Sequence, residues 1–499
     1  MNRNPPLRAR IRRWAIVSAA AHASLAAVSY GLAPFAPQEA KVPERLAFLA
    51  SLAARIPGAE GLGLLDFVAG RSLLLHDAAR VVAYLLPIAV ATMACFAVLR
   101  LVRQEGSVIE RRDLDTLQRA TLVFAALSIL HYPIFTSDFW LSIAWGRMVV
   151  EGVNPYYNNF TASSIEGLPL RDIPQHATYG PLWISVSAAI AGITGRSVVA
   201  AALVQKAILA GAWFGTVAVV RRIAERRSPR DAAVAIGVVG WLPASVELPV
   251  GEGHNDVLLA FGVASFLWLT IVHRTIGAWL ALAGSVLVKY ATAPLGVVAL
   301  LTARLSTRRE RGKLAIAWLC SAALAVACTA PYWRGLDFFA ATREMRSWRF
   351  LTPVTAVQYA LNQVGVSTPG RVLDVLLLGS LVVVAIVAAR RYLIARDDVS
   401  LSAAALSVMA VVVLGLVGHV WPWFMLWLLP LAALSGGHAL GRWVLAVFVF
   451  LPVLNLAWML RPDWSLLEPL GLLVFGSATV VTMISTWART VRERGSTRW

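Results

Sequence analysis

Apolar runs of about 20 residues recur from one end of the chain to the other, each long enough to cross a bilayer as a helix. No other feature narrows the fold so far. Of the 499 residues, 58% are hydrophobic and only 14% charged, against about 25% charged in soluble domains. The chain reads as an all-α polytopic membrane protein, and no segment reads as a separate soluble domain.

The net charge of +18 would suggest nucleic acid in a soluble protein. Here the arginines fall in short clusters between apolar runs, as cytoplasmic loops should. Topology and contact with anionic lipid account for them, and no nucleic-acid partner is expected. Cys95, Cys320 and Cys328 all lie inside apolar runs, which suggests neither a disulfide framework nor a metal knuckle. The N-terminal stretch "MNRNPPLRARIRRW" precedes an apolar run from Trp14 to Phe35. That run is longer than a cleaved signal core and reads as a retained first span.

Six basic clusters can be placed inside the cell: Arg3–Arg13, Arg100–Arg119, Arg221–Arg230, Arg304–Lys313, Arg390–Arg396 and Arg489–Arg498. Between any two of them the chain must cross an even number of times. That parity predicts about 12 full spans, both termini inside, and two partial or re-entrant segments at Tyr179–Ile193 and Ile276–Leu301. The second is interrupted by "KYATAP" (Lys289–Pro294). Non-helical backbone at that depth is tolerated where it is buried in protein or lines a cavity. Residues 1–118 then form a tail, two spans and an external loop (36–78). Residues 119–435 form a membrane core with external loops 136–178, 250–256 and 333–368. Residues 436–499 supply the last spans and a basic tail.

On this topology the unusual polar residues gather at one face. They are Asp138, "NPYY" with Tyr156, "HATYGP" with His176 and Tyr179, "ELPVGEGHND" with Glu252, His254, Asn255 and Asp256, "EMRSWRF" with Arg349, and "GHVWPWF" with Trp421. Lys289 would point to the same level. Ionisable groups at membrane depth are costly and usually functional. Carboxylates, histidines and cations at one face, ringed by Trp and Tyr, suit an enzyme whose substrate has a lipid tail in the bilayer and a polar head at its surface.

Each residue also has a plainer use. Asp138 could serve as a base or cap a helix. Arg147, nine residues on, would sit on the opposite side of a helix and not pair with it. Lys289 would meet an internal carboxylate or a phosphate. Arg349 would anchor the surface or grip phosphate bidentately. Glu252, His254, Asn255 and Asp256 would bond sugar hydroxyls or form a polar interhelical turn. A divalent metal there would rest on a thin donor set of one histidine and two carboxylates, and no metal is assigned. Trp421, Tyr156, Tyr179 and His176 would stack on a sugar or belong to an aromatic belt.

The order of these motifs resembles a family. An acid in the first large external loop of the core is followed by "WGRMVVEGVNPY", "YGPL", "GHND", "LVKYATAP" and "WPWFMLWLLPL". Over residues 120–435 this is similar to the GT-C glycosyltransferases, and most like the bacterial polyprenyl-phosphomannose-dependent α-1,6-mannosyltransferases. The resemblance implies a GT-C-like bundle and a sugar donor, mannose above all, carried on a polyprenyl monophosphate. Asp138 falls at the family's catalytic acid. Lys289 and Arg349 become candidates for the donor phosphate, and "GHND" falls at the sugar-handling face. The acid here is followed by Phe-Trp-Leu-Ser rather than a tyrosine-rich run, and loop 36–78 has no counterpart.

The expectation is therefore a multi-pass transferase of the plasma (inner) membrane. It moves a sugar to an envelope glycan or glycolipid at the extracytoplasmic face by inversion. Its partners are the lipid-linked donor, the acceptor and membrane lipids. The rival expectation is a transporter or lipid-linked glycan flippase, which would gather its charges at the bilayer midplane with access from both sides.

Overall fold

The structure, a computed structural model, describes residues 6–32, 73–104, 108–135, 137–170, 176–303, 307–345, 348–366, 370–455 and 467–496. Most of the external loop expected at 36–78 lies outside the described residues. Among those described, the only β feature is one bridge between Phe350 and His419. Everything else is helix and turn.

Helix α1 (Leu7–Leu32) packs along α2 (Leu73–Arg103) and α3 (Arg111–Ile129). Next come α4 (Asp138–Val150) and α5 (Pro181–Thr194), packed on each other, then α6 (Val198–Glu225) and α7 (Pro229–Trp241), another packed pair. The α7 axis turns by 71° into Pro243–Gly251. Helices α8 (Asp256–Ile271) and α9 (Thr275–Val288) form a hairpin, followed by α10 (Leu295–Thr302) and α11 (Arg308–Thr329). The remainder is α12 (Pro353–Gln363), α13 (Gly370–Ala395), α14 (Asp398–Ala410), α15 (Ala439–Leu454) and α16 (Leu467–Ser496). A π-helical turn, Val411–Leu416, continues α14.

Six helices among the described residues are long and apolar enough to cross a membrane, or seven if the bent α7 segment counts as one span. This is a multi-pass architecture, but length and composition alone do not reach the expected 12. The physical reason is breakage of apolar runs. Helix α8, expected as a full span, has 16 residues, about 24 Å of helix at 1.5 Å per residue, against about 30 Å of hydrocarbon. Pro243 follows the bend of the α7 run. The run after Gly418 becomes a 3-10 segment, Pro422–Trp427, then a six-residue helix. The run over Ile276–Leu301, expected as a partial segment and not among the 12, divides at Lys289. Hydropathy counts apolar side chains and does not register where the backbone turns.

Burial divides the helices into two groups. Two-thirds of the most apolar window of α14 with its continuation is buried, against 6% for α11. Trp318 and Leu319 on α11, and Val375 and Ile386 on α13, lie exposed. Such apolar exposure suits lipid rather than water. The connection between α7 and α8, in the better-buried group, holds "GHND".

Close approach between α4 and α5 depends on Gly146. A Cβ there would lie 2.2 Å from the Ser187 carbonyl oxygen. Gly146→Ala should therefore destabilise by about 1–3 kcal/mol, as overpacking does. Gly192→Ala, with nothing within 4 Å of a new Cβ, should be neutral or slightly stabilising. Thermal unfolding in detergent distinguishes the two.

Candidate active site

Asp138 is the first residue of α4. Ser137 takes the cap position, and no side chain caps the helix. The Asp138 carboxylate is thus not used as a cap, and its side chain is 28% exposed. Arg147, in the last turn of the same helix, points away and donates to the carbonyls of Ser164, Glu166 and Arg196. That anchors the loop after α4 and leaves Asp138 to other partners, as the helical spacing predicts.

Those partners come from two distant stretches. The Tyr179 side chain lies close enough to the Asp138 carboxylate to interact with it, and Nδ1 of His254 lies 3.9 Å from Asp138 Oδ2. Lys289 Nζ sits 4.7 Å from the centroid of the Tyr179 ring. It donates to both carboxylate oxygens of Asp256 at 2.8 Å. Trp427 Nε1 donates to Asp256 Oδ1 at 2.6 Å. Asp256 is wholly buried, so these donors offset a desolvation cost that would otherwise be large. The internal carboxylate considered as a partner for Lys289 is therefore Asp256.

Local sequence explains the convergence. Helix α9 stops at Val288 because Lys289 is extended. This leaves the Val288 carbonyl outside the helical ladder, and the Gly180 N–H donates to it at 2.8 Å. A Cβ on Gly180 would lie 2.1 Å from the Leu287 oxygen, so only glycine lets "YGPL" seat on the break. Tyr156 donates its hydroxyl to the Tyr179 carbonyl at 2.7 Å, tying "NPYY" to the same place. In "GHND", Gly253 has φ +77°, and a Cβ there would meet the Phe139 ring at 2.2 Å. Asp256 then opens α8, where the helix dipole favours a negative charge.

An aromatic wall closes one side. His254 stacks on Trp423 at 3.9 Å, and Trp423 stacks on Trp421 at 5.0 Å. Phe350 meets Trp421 edge-on and stacks on His419. Burial and the nearby Lys289 hold the His254 imidazole well below its usual range, so it stays neutral. Burial lifts the Tyr179 hydroxyl well above its ordinary value, so it remains a proton donor in hydrogen bonds. Both side-chain polar atoms of Asn255, both ring nitrogens of His419 and Nε2 of His254 are buried without a partner among the described residues. Buried polar atoms ordinarily have partners, so these mark where polar groups of a ligand would be satisfied.

Other expected residues lie apart. Arg349 is half-exposed and ion-paired with Asp374 of α13, at the rim of the wall. Glu252 turns away from Asp138 and accepts from the N–H groups of Ile134 and Phe135. Glu247 accepts from Ser128 and meets His22 of α1 at 2.7 Å. His176 is half-buried, and no side-chain contact among the described residues joins it to the cluster. No group of three or more His, Cys, Asp or Glu among the described residues is placed to hold a metal ion. Trp427 is not among the site residues expected from the sequence. Its signal is indirect, since an acid opening a buried helix needs donors beyond one lysine.

The family model described as "Alpha-(1->6)-mannopyranosyltransferase, N-terminal domain" matches residues 46–304, just over half of the 499-residue chain. A curated relative, alpha-(1->6)-mannopyranosyltransferase A of Mycobacterium tuberculosis (strain ATCC 25618 / H37Rv), is 24% identical over 200 residues. That match covers 39% of this chain and 38% of the relative. No solved structure matches. The matched residues contain Asp138, "YGPL", "GHND" and Lys289, and by that match the chain belongs to the MptA_B family.

Proposed function

We propose that the protein is a glycosyltransferase that moves mannose from a polyprenyl monophosphate to an envelope glycan or glycolipid. The reaction takes place at the extracytoplasmic face of the plasma (inner) membrane, with about 12 full spans and two partial ones holding the loops there. The observation that carries this reading is the meeting of Asp138, Tyr179, His254, Asp256 and Lys289, from four separate stretches, in one cluster. The description of the family favours transfer over transport.

A phosphate monoester anion is already a good leaving group, so the reaction needs no strong acid. Asp138, the partly exposed carboxylate, takes the proton from the acceptor hydroxyl as that oxygen attacks the anomeric carbon. Lys289 has three N–H donors. Two are directed at Asp256, and the third is left for an anionic oxygen of the donor, where it stabilises the charge that develops on the leaving group. Asp256 orients that ammonium. Its oxygens already accept from Lys289 and Trp427, which disfavours Asp256 as a nucleophile and supports single displacement with inversion. His254, Asn255 and the Trp421–Trp423 wall lie where sugar hydroxyls and ring faces would be read. Arg349 meets the headgroup at the rim.

Asp138→Asn should leave folding intact and lower transfer by about 10²–10⁴-fold, the usual span for a lost general base. The assay is transfer of labelled mannose from polyprenyl-phosphate mannose by the purified variant. Near-normal transfer refutes the assignment. Lys289→Met should abolish transfer and also destabilise by about 3–5 kcal/mol, because Asp256 is left buried and unpaired. Adding Asp256→Asn should restore much of that stability in a thermal melt but none of the activity.

A further inference from the structure

Beneath the cluster lies a second set of buried charges that transfer chemistry does not use. Lys206 of α6 is 3% exposed. Its ammonium donates to the carbonyls of His131 and Gly251. Those carbonyls belong to two separate stretches, one leading from α3 to Asp138 and the other into "GHND". Glu252, 2% exposed, makes the reciprocal link. From the second stretch it accepts from the N–H groups of Ile134 and Phe135 in the first, both at 3.0 Å.

The backbone at 131–135 is not helical, and buried main-chain groups need partners. A cation and an anion supply them, and in doing so bind one loop to the other. Gln205, next to Lys206, donates to the Phe139 carbonyl at 3.3 Å, in the first turn of α4. The Phe139 ring lies 5.7 Å from Lys206 Nζ and fills the space beside Gly253. The place of Asp138 relative to His254 is thereby fixed from below by side chains that do not reach it. The Lys289–Asp256 pair is held by other elements, through Trp427 and the Gly180–Val288 bond.

We propose that Lys206, Glu252 and Gln205 form a buried clamp that positions Asp138 over the donor, a role that rests on the reading of Asp138 as the base. The clamp sets the approach of base to acceptor and leaves donor binding alone. Displacing a reacting group by about 1 Å can cost about 10²-fold in rate.

Two conservative variants separate reach from charge. Glu252→Gln keeps an oxygen at the same distance and drops the charge. Glu252→Asp keeps the charge and draws the carboxylate back by one methylene. In full-length enzyme assayed with polyprenyl-phosphate mannose, Glu252→Asp should lower kcat by about 10–100-fold, and Glu252→Gln should retain at least about tenfold more activity than that. KM for the donor should stay within about twofold in both. Asp equal to or better than Gln, or a loss carried in KM, overturns the clamp. If neither variant folds, Gln205→Leu decides. A several-fold fall in kcat at constant KM supports the clamp, and an unchanged kcat overturns it. Asp138→Asn run beside them distinguishes the two readings. Near-normal transfer there overturns both. Its collapse alongside wild-type rates in Glu252→Asp overturns the clamp alone.

Discussion

One ion pair at a broken helix organises the site. Lys289 ends α9 and bonds both oxygens of Asp256, which opens α8. Neither charge could stand alone at that depth, and a buried pair survives only with further hydrogen bonds to its remaining lone pairs. Trp427 supplies one. The break itself releases a carbonyl that Gly180 satisfies, and this draws Tyr179 over the ammonium and up to Asp138. A single departure from helical geometry therefore brings five stretches of chain together, and the Asp256–Trp427 bond alone joins residues 171 apart.

The site has two levels with different duties. The upper level mixes partly exposed and orphaned groups, such as Asp138, Asn255, His254 and His419. The lower level, with Lys206, Glu252, Gln205 and the His22–Glu247 contact, ties backbone and side chains of neighbouring stretches together. Charge density alone does not tell the two apart. What separates them is that the lower groups bond main-chain atoms of the two loops, whereas Asp138 above them is partly exposed.

Much of this is legible in the sequence because the cues are local. A charged residue followed by a proline in an apolar run announces the break at Lys289, and the helix does end there. Helical spacing places Arg147 away from Asp138, and the structure directs it to loop carbonyls. Glu252 groups with His254 and Asp256 in the sequence because they share five residues of chain. The π-turn at Glu247–Gly251 and the positive φ of Gly253 rotate it to the opposite side, which spacing does not convey. Lys206 escapes notice because it lies mid-helix without a motif, and its partners are main-chain carbonyls that carry no sequence signature. The number of crossings is the least legible feature, since short helices such as α8 and the Pro422–Trp427 segment look like spans to a hydropathy window.

The contrast between α11 and the run from Trp421 to Leu434 has a bearing on how such chains diverge. In α11 only Ala317 is buried, so acyl chains surround most of its surface and accept Leu, Ile, Val or Phe almost interchangeably. Every residue from Trp421 to Ala432 is packed against protein, where a change of one methylene is felt. Drift will accumulate on the lipid-facing helices first, and relatives will keep their likeness in the loops and inner segments long after the outer helices have lost it.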